Sequence, residues 1–460
     1  MISRWACPVY REGMAAARRP TPISWTATFR RFDNQTIGVA DRGRRHGANH
    51  SIMKLTPIIA TIARMSIPHW RVFGAACLAH ILHDGYSSML YLLLPFWQRE
   101  LALSLTQVGI LKTVYSAAMA FGQVPAGRLG ERWSERLPLA AGTLLTAAAV
   151  VALHWATTPL VLGLLLAIGG LGASVQHPLA STLISKVYGG PTLRVKLGTY
   201  NFAGDFGKMV IPAILTVLIA AFGWRTGTVS IGMLGLATAA ILLITLPSRA
   251  HHPAQEGQQQ TPRRPPLAEA VRRRGFAALS AVGMLDSATR TGLLTFLPFV
   301  LARKGADTAV VGTALSLVFA GGAVGKFACG ALATRVGILR TVAATELGTA
   351  LAIVALLVMP LSVYLLLMPV LGIMLNGTSS VLYGTVAELT PNGREARAFG
   401  FFYTVTIGAD AIAPTLYGRV ADGVGLSGTI LLVATVVLLI LPLLAVLRPT
   451  IEEHRRWSTS

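Results

Sequence analysis

The stretch AHILHDGYSS, Ala79 to Ser88, sets two histidines and an aspartate, His80, His83 and Asp84, just ahead of a run of leucines. Residues four apart share one face of a helix, so His80 and Asp84 stand one above the other, with His83 adjacent. Histidine exchanges protons near neutral pH and a carboxylate completes a relay, so the trio has the chemistry of a proton carrier. A packed polar cluster with no coupling role is the alternative. Similar side chains interrupt other apolar stretches. His177 precedes a proline in GASVQHPLAS, and Asp205 and Lys208 lie three apart in GDFGKMVIP. Asp286 and Arg290 lie four apart, either as a self-neutralising pair or as an anion contact with a switchable partner. Lys326 and Asp410 could complete a charged cavity, and Asn376 is a candidate polar contact. Lys112 and Glu346 read as structural or interfacial.

These residues stand in a membrane composition. The 460 residues are 53% hydrophobic and 13% charged, with mean hydropathy +0.59. A soluble chain of this size carries about a quarter charged residues. Apolar runs of about 20 residues, enough to cross a bilayer, fall near 72–97, 107–126, 137–156, 160–187, 197–222, 226–246, 276–301, 310–333, 338–358, 361–387, 396–420 and 426–447. The expected fold is therefore all-α with twelve transmembrane helices, every backbone bond closed within its segment, as lipid requires. A charge near the bilayer centre costs roughly 2.5–3.5 kcal/mol on insertion scales, so it belongs beside a cavity or a partner.

The formal charge of +21 could signal nucleic acid, anionic lipid or topology. Its placement selects topology. Nineteen Lys and Arg residues lie in the loops and tail on one side and five on the other. Positive loops stay inside, so both termini are expected in the cytoplasm of an inner-membrane protein. No basic face with interleaved aromatics indicates nucleic acid. Residues 1–70 form a leader with no spanning run. Eleven basic residues stand there against three acidic ones, which fits a cytoplasmic tail, an upstream extension with Met53 or Met65 as a possible start, or, as the weakest reading, a transit peptide. The remaining expected divisions are 71–247 and 276–447 as six-helix halves, a Pro- and Gln-rich linker over 248–275, and a cytoplasmic tail over 448–460. Cys7, Cys77 and Cys329 form no paired motif, and no disulfide or metal site is expected. No phosphate-binding loop offers an ATP drive and no nucleophile-base pattern is visible, so neither an enzyme nor a cofactor is expected.

The halves repeat. Leu94-Pro95-Phe96 returns as Leu297-Pro298-Phe299, Val108-Gly109 as Val311-Gly312 and Gly122 as Gly325, each 203 residues on. GRLGER at Gly127–Arg132 returns as GALATR at Gly330–Arg335. Gly198 and Pro212 return as Gly400 and Pro414 after 202 residues. Six helices per copy give parallel repeats about an axis along the membrane normal, with a substrate site between them near the midplane.

The loop GRLGERWSER resembles the signature loop of the major facilitator superfamily, with Gly127, Leu129, Arg132 and Arg136 in place. Glu131 stands for the usual Asp and Ser134 for Gly; the second copy keeps Gly330, Leu332, Arg335 and Gly337 but has Thr334 at the acidic position. The resemblance implies a rocker-switch transporter. Glu131, Arg132, Gly330 and Arg335 then belong to a conformational-switch loop, and helices one, four, seven and ten line the cavity. His80, Asp84, Leu103 to Gln107 with Gly109, and His177-Pro178 are similar to the fosmidomycin-resistance branch. That implies proton-driven export of a small anionic or zwitterionic compound by a monomer, with the proton gradient as its energy source. Asp84, His83, His80, His177 and Asp286 would carry protons. Arg290, Lys208, Asp205, Asn376, Lys326 and Asp410 would meet substrate. A proton symporter importing a sugar or organic acid is the alternative within transport, and a non-transporting membrane sensor the alternative outside it.

Overall fold

The computed structural model describes residues 68–132, 134–247, 269–390 and 395–459, and these are helical almost throughout, with no strand among them. Twelve helices follow in order: α1 His69–Glu100, α2 Leu105–Arg132, α3 Arg136–Ala152, α4 Pro159–Ala173, α5 Gln176–Val187, α6 Gly190–Thr245, α7 Glu269–Arg303, α8 Thr308–Val336, α9 Ile338–Val358, α10 Leu361–Leu389, α11 Glu395–Leu438 and α12 Ile440–Thr459. Helices and membrane crossings do not match one to one. The fourth crossing is α4 with α5. The fifth and sixth share α6, and the eleventh and twelfth share α11, which α12 extends. Seven helical stretches are long and apolar enough to cross a bilayer on composition, and two of them, 195–245 and 398–453, are double. The first, second and seventh crossings are absent from that set because α1, α2 and α7 carry more polar side chains.

The double helices reverse at one glycine each. Gly223 has φ 77° and ψ 162°, and Gly425 has φ 81° and ψ 167°. Backbone of that kind is essentially restricted to glycine, and the two positions are again 202 apart. The fourth crossing breaks between Ala173 and Gln176 because Pro178 has no N–H for the carbonyl of Ser174 and crowds it. This break was not expected, although the His-Pro pair signalled it. The starts of α2 and α8 are repeat-related caps. Ser104 and Gln107 form a reciprocal capping box at 3.2 and 2.9 Å. Asp307, the repeat-mate of Ser104, caps Val310 at 2.8 Å. The expected signature loop is not a loop at its start: Gly127–Arg132 stays inside α2 and Gly330–Arg335 inside α8. Neither hexapeptide contains proline, and Gly127 and Gly330 are not among the glycines of positive φ, so helix continues beyond the apolar run. Gly337, at φ 94°, makes the stop in the second copy. The leader and most of the linker lie outside the described residues, and α7 already begins at Glu269.

The halves meet by a symmetric use of small residues. A Cβ on Gly109 would lie 2.1 Å from the carbonyl oxygen of Pro414, and one on Gly312 would lie 1.8 Å from Oγ1 of Thr216. The repeated Val-Gly pair thus lets the second crossing press on the eleventh and the eighth on the fifth. Thr113 Oγ1 meets Thr415 Oγ1 at 2.8 Å, and the repeat-mate of Thr113, Ser316, donates to the Met209 carbonyl at 3.0 Å. These contacts gather at the ends of α2 and α8 that carry the weakly basic loops. Two of the five basic residues at that end are occupied: Arg225 pairs with Glu100, and Lys304 donates to the carbonyls of Leu357 and Met359 at 3.2 and 2.7 Å. Toward the strongly basic end, a Cβ on Gly127, Gly198 or Gly400 would meet no atom of another described element within 4 Å.

Candidate transport site

The fold gathers most of the expected site residues into two charged clusters. In the first, Asp84 of α1 is the hub. Its carboxylate lies 3.5 Å from His80 Nε2, 3.8 Å from His83 Nε2 and 3.7 Å from His177 Nε2 of α5. The break at Ser174–Val175 lets His177 start a new helix close to Asp84, and its side chain remains 42% exposed. Lys208 of α6 closes the hub at 3.0 Å from Asp84 and also reaches Asp205 at 3.2 Å. Lys326, from α8 in the other half, grips both Asp205 oxygens at 2.7 Å. Gly204 makes this packing possible, since a Cβ there would lie 2.6 Å from His80 Nε2 and 2.7 Å from Asp84 Oδ2.

His80 defines the protonation geometry. Its Nδ1 lies 2.7 Å from the Tyr200 carbonyl, to which it can only donate. In a neutral ring Nε2 then carries a lone pair, and this atom is buried without a hydrogen-bond partner among the described residues. It faces the carboxylate of Asp84. The lone pair and the carboxylate thus face each other across 3.5 Å. Ligand atoms of His80, Asp84 and His177 all converge within 4.8 Å, a grouping that could suit a cation. The bonded Lys208 ammonium already stands there, so the chain supplies its own positive charge.

The second cluster belongs to the other half. Arg290 of α7 lies 3.7 Å from Asp286 and 3.9 Å from Asp410 of α11. It also donates to Ser287 Oγ at 3.2 Å, and Thr291 donates to Asp410. Asp410 is the repeat-mate of Lys208, 202 residues on, so the two halves place opposite charges at one position. The alternatives left open for Asp286 and Arg290 are narrowed, because the arginine bridges two helices.

The other candidates stand apart. Asn376 donates to its own helix at the Gly372 carbonyl, 3.2 Å away, and packs on Gly322. Gly127 and Gly330 lie in helix ends and Arg335 is exposed. The side chains of Glu131 and Arg132 lie outside the described residues. Sequence reasoning undervalued two groups. Lys112 is buried, donates to Ser116 Oγ at 2.6 Å, and lies 5.3 and 5.9 Å from the rings of Tyr91 and Tyr115. Glu346 is 1% exposed. A lone charge inside an apolar run is the only sequence signal either one offers.

Comparison with known proteins places this architecture. The profile of the Major Facilitator Superfamily matches residues 76–405 and 279–460, and the chain belongs to that superfamily. It is 26% identical over 152 residues to the Fosmidomycin resistance protein of Escherichia coli (strain K12), covering 33% of this chain and 37% of that one. It is 28% identical over 163 residues to the Probable L-galactonate transporter of the same organism, 34% of each chain. To the 4-hydroxybenzoate transporter PcaK of Pseudomonas aeruginosa it is 27% identical over 185 residues, 40% of this chain and 41% of that one. The matches thus span about a third to two fifths of these relatives. In fold, the chain is similar to a bacterial homolog of the human lysosomal transporter Spinster, solved inward-facing and unoccupied: TM-score 0.72, 15% identity, 85% of this chain and 99% of that chain. The protein is a multi-pass membrane protein of the major facilitator class.

Proposed function

We propose that the chain moves a small organic anion by alternating access, coupled to protons exchanged at the Asp84 cluster. One observation carries this reading: the Nε2 of buried His80, without a hydrogen-bond partner among the described residues, faces Asp84 at 3.5 Å, and Lys208 is bound to the same carboxylate. A protonatable group and a cation that can meet an anion are thereby tied together. Relatives named for galactonate and 4-hydroxybenzoate, both organic acids, support the substrate class. The likeness to a fosmidomycin resistance protein supports export; the pairing of Lys208 with Asp84 supports import by symport. We place the strongly basic end in the cytoplasm by the positive-inside rule, which makes the described conformation inward-facing. Asp286, Arg290 and Asp410 would frame the opposite wall of the substrate path.

Everted vesicles test the reading. A panel of organic acids and a phosphonate antibiotic is added while the internal pH is followed, with wild type beside Asp84→Asn. A compound that perturbs the proton gradient in wild type but not in the variant supports it. Equal responses in both would remove Asp84 from coupling.

A further inference from the structure

We infer that the first cluster is also a binding site for a divalent transition-metal ion of the zinc class, held by His80, His177 and Asp84 in competition with Lys208. This goes beyond the transport reading and does not depend on it.

The geometry of the ligand atoms carries the inference. His80 Nε2 and His177 Nε2 lie 3.5 and 3.7 Å from the carboxylate of Asp84. Ligand atoms of the three residues all lie within 4.8 Å of one another. The two separations from Asp84 are too long for good hydrogen bonds. They suit two imidazoles and a carboxylate around one ion, because zinc bonds of about 2.0–2.1 Å set tetrahedral ligands about 3.3 Å apart. These two edges need to close by only a few tenths of an ångström.

His80 is oriented as a metal ligand is. Its Nδ1 donates to the Tyr200 carbonyl at 2.7 Å, and its ring stacks on that of Tyr200 with centroids 4.0 Å apart. A histidine tied to a carbonyl through one nitrogen presents the lone pair of the other, which is the usual outer-shell support of a metal-bound imidazole. That other nitrogen, Nε2, belongs to a residue only 2% exposed and has no hydrogen-bond partner among the described residues. His177 is the part-exposed member and gives an ion its way in. His83 Nε2, 3.8 Å from the same carboxylate, stands beside the remaining position. Imidazole nitrogens select Zn2+, Co2+ or Ni2+ over Mg2+ and Ca2+, which take oxygen ligands. The second cluster, Asp286, Arg290 and Asp410, has no imidazole and offers no such donor set.

Lys208 sets the terms of binding. Its ammonium holds Asp84 at 3.0 Å and repels a dication there. It also has a second carboxylate, Asp205, at 3.2 Å, so it can leave Asp84 and keep a partner. Asp205 in turn is held through both oxygens by Lys326 at 2.7 Å, so the cluster can spare Lys208 altogether. Metal and ammonium thus compete for one carboxylate. The competition weakens the site, which fills in metal excess rather than at trace levels. While filled, it withholds Asp84 from Lys208 and ties α1 to α5, so the metal acts as an inhibitor of any cycle that moves these helices.

The test uses the purified full-length chain without an affinity tag, titrated with Co2+ while its visible absorption is followed, then with Zn2+. Wild type should develop the absorption of Co2+ in a near-tetrahedral nitrogen and oxygen site, at about one ion per chain, and lose it as Zn2+ displaces Co2+. His177→Ala should weaken the Kd at least about tenfold. Lys208→Leu should do the opposite and tighten it several-fold, which chance binding at the surface does not produce. His251→Ala with His252→Ala, the adjacent pair between the halves, should bind as wild type does. No Co2+ absorption in wild type, a Kd unchanged in His177→Ala, or binding lost with the 251–252 pair overturns the inference. So does weaker binding in a Lys208→Leu protein that melts like wild type. None of these outcomes touches the anion reading, which stands or falls on the vesicle assay.

Discussion

Asp422 reaches across from the second half to the first turn of α2. Its carboxylate accepts from the backbone N–H groups of Leu105 and Thr106, each at 2.9 Å, and from the Thr106 hydroxyl at 2.5 Å. Ser104 serves the next amide, that of Gln107. The first turn of a helix always leaves such donors orphaned, and here the other half of the molecule supplies their acceptor. These bonds exist only while the second and eleventh crossings touch, so Asp422 acts as a latch on the closed end. The site is exposed, which sets each bond near the low end of the usual ~0.5–1.5 kcal/mol. The three bonds together give about 2 kcal/mol. Asp422→Ala should then shift the closed-to-open ratio by about thirtyfold. Asp422→Asn, which keeps one acceptor, should shift it by about fivefold.

The assay is an electron-spin distance measurement. Labels sit at Leu160 and Val424, exposed residues of opposite halves, in a protein whose three cysteines are replaced by serine. The alanine variant should gain a longer-distance component, and the asparagine variant a smaller one. A wild-type distribution in both would refute the latch. The pH dependence has a definite sign. Burial works against ionisation of Asp422, but the hydrogen bonds from Thr106, Ser104 and Leu105 prevail and hold its carboxyl below the usual range. Its contribution to closure is therefore full above the free carboxyl range and is lost as pH falls through the lowered value. Acid on that face should favour opening in wild type and have no such effect in Asp422→Ala.

Gly109→Val meets the Pro414 carbonyl 2.1 Å from its Cβ and should hold that end open, with transport lost; Gly74→Ala, whose Cβ would meet no atom of another described element within 4 Å, is the control. Lys326→Ala leaves Asp205 to Lys208 alone and should cost about 1–2 kcal/mol, scaled down from a fully buried pair because Lys326 is 34% exposed. Adding Asp205→Asn should recover part of the lost melting temperature, and a further drop would contradict the pairing. Lys112 has no carboxylate within ion-pair distance among the described residues, so Lys112→Met should melt at the same temperature or higher.

The twelve crossings were legible in the residues because bilayer thickness fixes the length of each and a duplication fixes their number. The Val-Gly repeat, visible as a pattern, became explicable only when Gly109 and Gly312 were seen against Pro414 and Thr216. His80 and Asp84 could be paired from helical spacing alone. The approach of Lys208, Lys326 and His177 could not, since it depends on how separate crossings stack and on the break forced by Pro178. Helix ends were misplaced at Gly127–Arg132 for a physical reason: hydropathy marks where lipid ends, and a helix need not stop there. Asp422 offered no signal, being one acid just before the Gly425 reversal of α11 whose partner amides lie 316 and 317 residues away.

The central claim is proton-coupled movement of an organic anion through the Asp84 cluster. Its most direct test is uptake of labelled L-galactonate and 4-hydroxybenzoate, with the other acids as competitors, into proteoliposomes under an imposed proton gradient. Accumulation that follows the gradient, collapses with a protonophore and is abolished in Asp84→Asn is the predicted result. Uptake that ignores the gradient and is unchanged in Asp84→Asn would contradict the account.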